Sequence, residues 1–151
     1  MSLANDPDFF DLLVSSYRRA VGREPAFLEP GAHRSAAWLY AQASHCVLAH
    51  NTDPDPRFTY ANRAAQTAFD YDWDEITQLP SRLSAEPVDR EERQRLLDSV
   101  ARDGFATGYS GVRIAKSGRR FLIEEGVVWQ LIDRDGAVRG QAATFANWHD
   151  G

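Results

Sequence analysis

The chain has 151 residues, 43% of them hydrophobic and 26% charged, which suits one globular domain with a sizeable core rather than a disordered chain. Its 17 Lys and Arg against 22 Asp and Glu leave a net charge of −5, which argues against a dedicated nucleic-acid binder with a basic contact face. The single cysteine, Cys46, excludes an intrachain disulfide. With no leader and no apolar run of membrane-spanning length, the expected setting is the reducing cytoplasm, away from membranes.

Residues 8–21 read as an amphipathic helix, with Phe9, Phe10, Leu13, Val14 and Tyr17 at helical spacing. Asp6 or Asp8 can cap its start, Arg18 and Arg19 suit its last turn, and Gly22 stops it. Residues 23–33 hold Pro25, Pro30 and Gly31 and read as a connector. A second helix over residues 35–44 sets Ala36, Leu39, Tyr40 and Ala43 on one side. Residues 1–45 thus form a helical cap, expected to pack on a sheet or on a second copy of the chain.

Residues 46–50 predict a short strand, 51–56 a proline- and aspartate-rich turn, and 58–61 the return strand. Asn62 stands at a strand-to-helix junction and is a good N-cap for a helix carrying Ala64, Ala65, Ala68 and Phe69. Asp72 with Glu75 is a capping-box pattern over Trp73, Ile76 and Leu79, ended by Pro80. A polar connector, 81–87, precedes a second capping-box pattern, Asp89 with Glu92. The longer helix there turns Leu96, Leu97 and Val100 inward and closes at Gly104. Arg90, Arg93, Arg95 and the Arg119–Arg120 pair read as solvated faces.

Three strands follow, over 109–115, 120–132 and 138–145, joined at Ser117-Gly118 and Asp135-Gly136. The fold class is therefore α+β. It comprises a five-stranded antiparallel sheet, crossing helices on one face and a two-helix N-terminal cap.

That order resembles the Per-Arnt-Sim (PAS) architecture, and Phe58-Thr-Tyr-Ala-Asn-Arg-Ala-Ala65 looks like its strand-to-helix junction. More specifically the chain resembles the MEKHLA family, a PAS-like domain. The resemblance rests on Leu48-Ala-His50, on Leu79-Pro-Ser-Arg-Leu-Ser-Ala-Glu-Pro87, on Tyr109-Ser-Gly-Val-Arg-Ile114 and on Gly140-Gln-Ala-Ala-Thr-Phe145. It makes residues 46–151 the PAS-like domain. It implies a sensing or interaction role and names no ligand.

The pocket of such a fold lies between the inner sheet face and the crossing helices, so strand parity decides its lining. Taking Ser117-Gly118 as a two-residue turn sets Ile114 opposite Phe121, Val112 opposite Ile123 and Ser110 opposite Glu125. These then share an inner face with Val127, Trp129 and Leu131, leaving Tyr109, Leu122 and Val128 outside. Glu125 is the polar intruder, a ligand anchor with Ser110 and Arg82 or Thr144 nearby, or else the partner of a structural bond to the 80–87 connector or a residue near the sheet edge. A one-residue bulge would bring Glu124 inside instead. Ser81, Arg82 and Ser84 sit at the expected pocket mouth. They can serve a ligand, or make local turn bonds with Arg82 paired to Glu86. Trp73, Trp129 and Trp148 suit a core as well as a ligand platform. The candidate ligand-binding set is Ser81, Arg82, Ser84, Ser110, Glu125, Trp129 and Thr144.

Other chemistry finds little support. The Asn-Cys-Arg motif of flavin-binding light sensors in this fold class has no counterpart, since Cys46 lies on the first strand. Residues 89–104 lack the histidine of haem-binding relatives. His33, His45, His50 and His149 lack metal-ligand spacing, and neither a Walker nor a Rossmann glycine pattern occurs. No cofactor, metal or enzymatic activity is expected. The leading expectation is a stand-alone sensory module that binds a small ligand non-covalently and signals through protein contacts, as a homodimer. The alternatives are a filled-core interaction or dimerisation module, and a small cone-shaped enzyme using His50 with Asp53 or Glu125.

Overall fold

Local capping chemistry sets most helix boundaries in the computed structural model, which describes residues 3–29 and 35–150. Residues 30–34, with His33 and part of the expected connector, lie outside the described residues. Helix α1 (Pro7–Val21) starts at Asp6, whose carboxylate accepts from Asp8 N at 2.9 Å, and ends at Gly22 in the left-handed region. Helix α2 (Ala36–Ala41) is capped by Ser35. Strands β1 (Cys46–His50) and β2 (Phe58–Ala61) lead into α3 (Arg63–Phe69) and α4 (Trp73–Ile76), the latter carrying both bonds of the Asp72–Glu75 capping box.

The second expected box does not form. Helix α5 (Pro87–Asp103) begins earlier, because Pro87 supplies a preset φ at its first turn, and Asp89 already lies inside it. Strands β3 (Phe105–Ile114), β4 (Arg120–Ile132), β5 (Val138–Phe145) and β6 (Asn147–Asp150) complete the chain. The sheet order is β2-β1-β5-β4-β3, all antiparallel, and β6 continues the path of β5 along β4.

Asn62 is the central junction. Its side-chain oxygen accepts from Ala65 N (3.1 Å) and Val47 N (3.0 Å), and its amide donates to Leu39 O (3.2 Å) and His45 O (2.9 Å). One fully buried amide thus ties α2, α3 and β1 with all its capacity used.

Both corners of the meander take three-residue rather than two-residue form. Gly118 N donates to Ala115 O and Ala115 N to Arg119 O, with Gly118 at φ 90°. Gly136 repeats this at φ 83°. The extra residue shifts the β3–β4 register by one, so Arg113 faces Phe121, Gly111 faces Ile123 and Val112 faces Leu122.

A second departure decides the faces. Glu125 adopts φ 54° and Gly108 φ 64°, at the level where β5 gives way to β6. Alternation in β4 reverses there. Phe121 and Ile123 face α3, whereas Val127, Trp129 and Leu131 face α1. Gly126 and Val128 take over the inner side. The expectation of one uninterrupted inner face is therefore corrected, and Tyr109 and Val128 are inner residues.

The outer face is covered by the chain's own N-terminal segment. Leu13, Val14, Tyr17 and Phe27 form one apolar cluster with Val47, Tyr60, Trp129 and Leu131. Trp129 is fully buried, lies edge-on to Tyr17 (4.9 Å between ring centres), stacks on Phe27 (6.0 Å) and donates to Leu13 O at 3.2 Å.

Candidate functional site

Helix α5 lies over the inner sheet face with Arg93, Leu96, Leu97 and Val100 along one side, the i, i+3, i+4, i+7 stripe of a core-facing helix. Between this stripe and the sheet lies a cavity of ≈ 70 Å³. Its wall is mainly apolar, from side chains such as Leu48, Phe69, Leu96, Ile123 and Phe145. The polar side chains that interrupt it include His50, Arg93, Tyr109, Arg113 and Gln141.

The two arginines set the electrostatics. Both are buried. The Arg113 guanidinium donates to Val112 O at 2.7 Å and to the Tyr109 hydroxyl, lies 5.3 Å from that ring's centre, and reaches Glu92 only at 3.9 Å. A side chain at Gly111 would collide with the Tyr109 ring, so this glycine makes room for the pair. Arg93 makes no hydrogen bond or ion pair to any described residue. Burial, with the like charge of Arg113 beside it, pushes its pKa down to about 10, so it is still cationic at neutral pH. An unpaired buried cation costs on the order of several kcal/mol. Reading Arg93 as part of a solvated face is corrected: it occupies the first place of the buried stripe.

The neighbouring wall is short of donors. His50 Nδ1 lies 3.0 Å from Asn51 O, which can only accept, so Nδ1 carries the proton. Nε2 is then a buried acceptor without a partner. Burial, opposed by that backbone bond and reinforced by the Arg93 charge, holds the imidazole pKa below its ordinary value. Gln141, the register partner of His50, donates to Leu97 O at 3.2 Å and leaves its Oε1 buried and unpaired.

The residues expected at the site are scattered. Ser84 and Thr144 contribute to the wall, with their hydroxyls turned to Ser81 O (2.7 Å) and Cys46 O (2.9 Å). Ser81 is buried beside the turn, away from the cavity lining, with its hydroxyl unpaired. Arg82 is exposed and pairs with Asp55 at 3.1 Å rather than Glu86, which Arg120 engages. Ser110 and Glu125 are exposed, so Glu125 is no intruder in an apolar face. Its left-handed backbone turns it out. Glu124 does not replace it, lying half-exposed at 3.3 Å from His149. Trp129 belongs to the opposite face. Trp73 packs on Tyr40 and Tyr60, and Trp148 on Phe121.

Sequence reasoning missed Arg93, Arg113, Tyr109 and Gln141 as wall residues. Only Arg93 left a signal, its helical spacing to Leu96, Leu97 and Val100.

No curated protein matches the chain in sequence. Among solved structures, a PAS domain of a protein from Colwellia psychrerythraea is 16% identical, with 76% of this chain and 92% of that one covered at a TM-score of 0.62. A light-oxygen-voltage domain with a flavin analogue is also 16% identical (71% and 77% covered, TM-score 0.57). The dark structure of the Aureochrome1 blue-light photoreceptor domain is 18% identical (66% and 72% covered, TM-score 0.56). At such identities the likeness is one of fold, a PAS-like α+β domain. The MEKHLA domain family matches residues 7–150, and by that match, over nearly its whole length, the chain belongs to this family.

Proposed function

We propose that the chain is a sensory module whose inner cavity holds a small ligand non-covalently and whose state is passed on through protein contacts. The observation that carries this reading is the cavity under α5, where apolar walls surround buried polar groups that lack partners. Native proteins rarely leave such groups unsatisfied, and functional sites are where they do.

The reading is one of binding rather than catalysis. Among the described residues His50 faces no carboxylate, Asp53 is exposed and bonded to Asn51, and Glu125 points to solvent. The flavin of the light-oxygen-voltage neighbour does not fit these residues. A cavity of ≈ 70 Å³ is far below the roughly 300–1,000 Å³ of sites for larger ligands. Cys46 lies off the wall, buried, with its thiol pushed up to about 12.

Output runs through contacts with a partner protein or a second copy of the chain, in the cytoplasm. No described helix is long and apolar enough to cross a membrane. Large exposed apolar side chains on the described surface are limited to Val88 and Val138, so these contacts are mainly polar.

Native mass spectrometry of protein purified without denaturation tests the reading, together with melting in the presence of a metabolite panel. A retained small mass or a ligand-induced melting shift is expected. Neither appearing would leave the alternative, a ligand-free interaction or homodimerisation module.

A further inference from the structure

The groups on the cavity wall make opposite demands on an occupant. Arg93 is a buried cation with no hydrogen bond or ion pair to a described residue and only the more distant Glu92 charge to offset it, and Arg113 has only a phenol, a carbonyl and the same Glu92 at its rim. His50 and Gln141, adjacent across β1 and β5, present acceptors with no donor. An anion alone would satisfy the arginines and leave these acceptors unmet. A neutral polyol would do the reverse.

We propose that the cavity takes a compact carboxylate that also carries a hydroxyl, the carboxylate held by Arg93 and Arg113, the hydroxyl donating its one proton to Gln141 Oε1, and a second hydroxyl, where the acid has one, donating to His50 Nε2. This inference rests on the sensory reading above and names the ligand class for the same site. Planar guanidinium forks match a carboxylate in geometry as well as charge. Tyr109 and Glu92 already engage Arg113, so the uncompensated charge is close to one, which favours a monoanion over a dianionic phosphate. An ammonium donor is disfavoured by two cations at close quarters. The volume of ≈ 70 Å³ admits only a short carbon skeleton, and Leu96 and Val128 give it an apolar wall.

The test is calorimetry and melting of the whole chain at fixed ionic strength. The panel is glycolate, lactate and glycerate against acetate and propionate, which lack the hydroxyl, glycerol, which lacks the carboxylate, and inorganic phosphate. Hydroxy acids are expected to bind about tenfold or more tightly than either truncated class. Arg93→Met should weaken them about 10- to 100-fold while melting no lower than the parent without ligand, since it removes an unpaired charge. Arg93→Lys should retain part of the affinity, and Gln141→Leu should erase the preference for hydroxylated over plain acids. Equal binding of glycerol or phosphate, or unaltered binding by Arg93→Met, overturns the assignment while leaving the cavity a ligand site. If no compound shifts melting and native mass spectrometry finds no bound mass, the sensory reading falls with it.

Discussion

Trp129 and Val128 are neighbours in β4, yet they face two differently built interiors. On the α1 side, Trp129 is enclosed by aromatic rings and its one donor is satisfied by Leu13 O. On the α5 side, Val128 borders a void where two guanidinium groups, an imidazole and an amide are incompletely paired. The first interior follows the rule for stability, apolar packing with the buried Trp129 donor bonded. The second breaks that rule in one place, and in the same place it leaves room. A single strand separates them, so the comparison isolates packing from site-building within one sheet.

The largest test of that contrast is truncation on each side. Trp129→Ala should cost about 3–5 kcal/mol, read from urea unfolding, whereas Val128→Ala, beside existing space, should cost about 1 kcal/mol. Equal losses would mean that the two interiors are equally tight. Asn62→Ala removes a cap and strands Val47 N, Leu39 O and His45 O, so a loss of about 2–3 kcal/mol is expected. A loss below about 0.5 kcal/mol would show that water replaces the amide.

Glu125→Gly probes the point where alternation reverses. Because Glu125 is exposed at φ 54°, glycine should raise stability by about 0.5–1 kcal/mol and leave ligand binding unchanged. A drop in either would restore Glu125 to a role in the inner site.

The smallest effect is one of pH. Burial and the Arg93 charge hold the folded pKa of His50 below its ordinary 6.5, so on acidification the unfolded chain takes the proton first. The His50 contribution is full above pH 6.5 and declines as pH falls through that value toward the folded pKa. His50→Gln should therefore flatten the stability profile below pH 6.5. His45, lowered in the same direction by burial, leaves some slope behind. An unchanged profile would mean that His50 is solvated.

How much of this was legible depended on range. The Asn62 and Asp72–Glu75 caps, the stops at Gly22 and Gly104 and the order of the first five strands and the helices along the chain all follow from signals a few residues long. The inner face did not, because two one-residue effects intervene. A glycine at positive φ lengthens each corner, and Glu125, a residue type with no special liking for the left-handed region, reverses the parity downstream. Arg93 was hidden for another reason. A charge on a helix is ordinarily solvated, and only its alignment with Leu96, Leu97 and Val100 marks it as buried.

The break at Gly108 and Glu125 also bears on solubility. Strand β3 has ten residues and forms a rim of the sheet, the kind of margin on which a second chain can add and start a fibril. Interrupting it near Gly108 leaves two short margins out of phase with each other. An incoming strand that matches one is mispaired with the other.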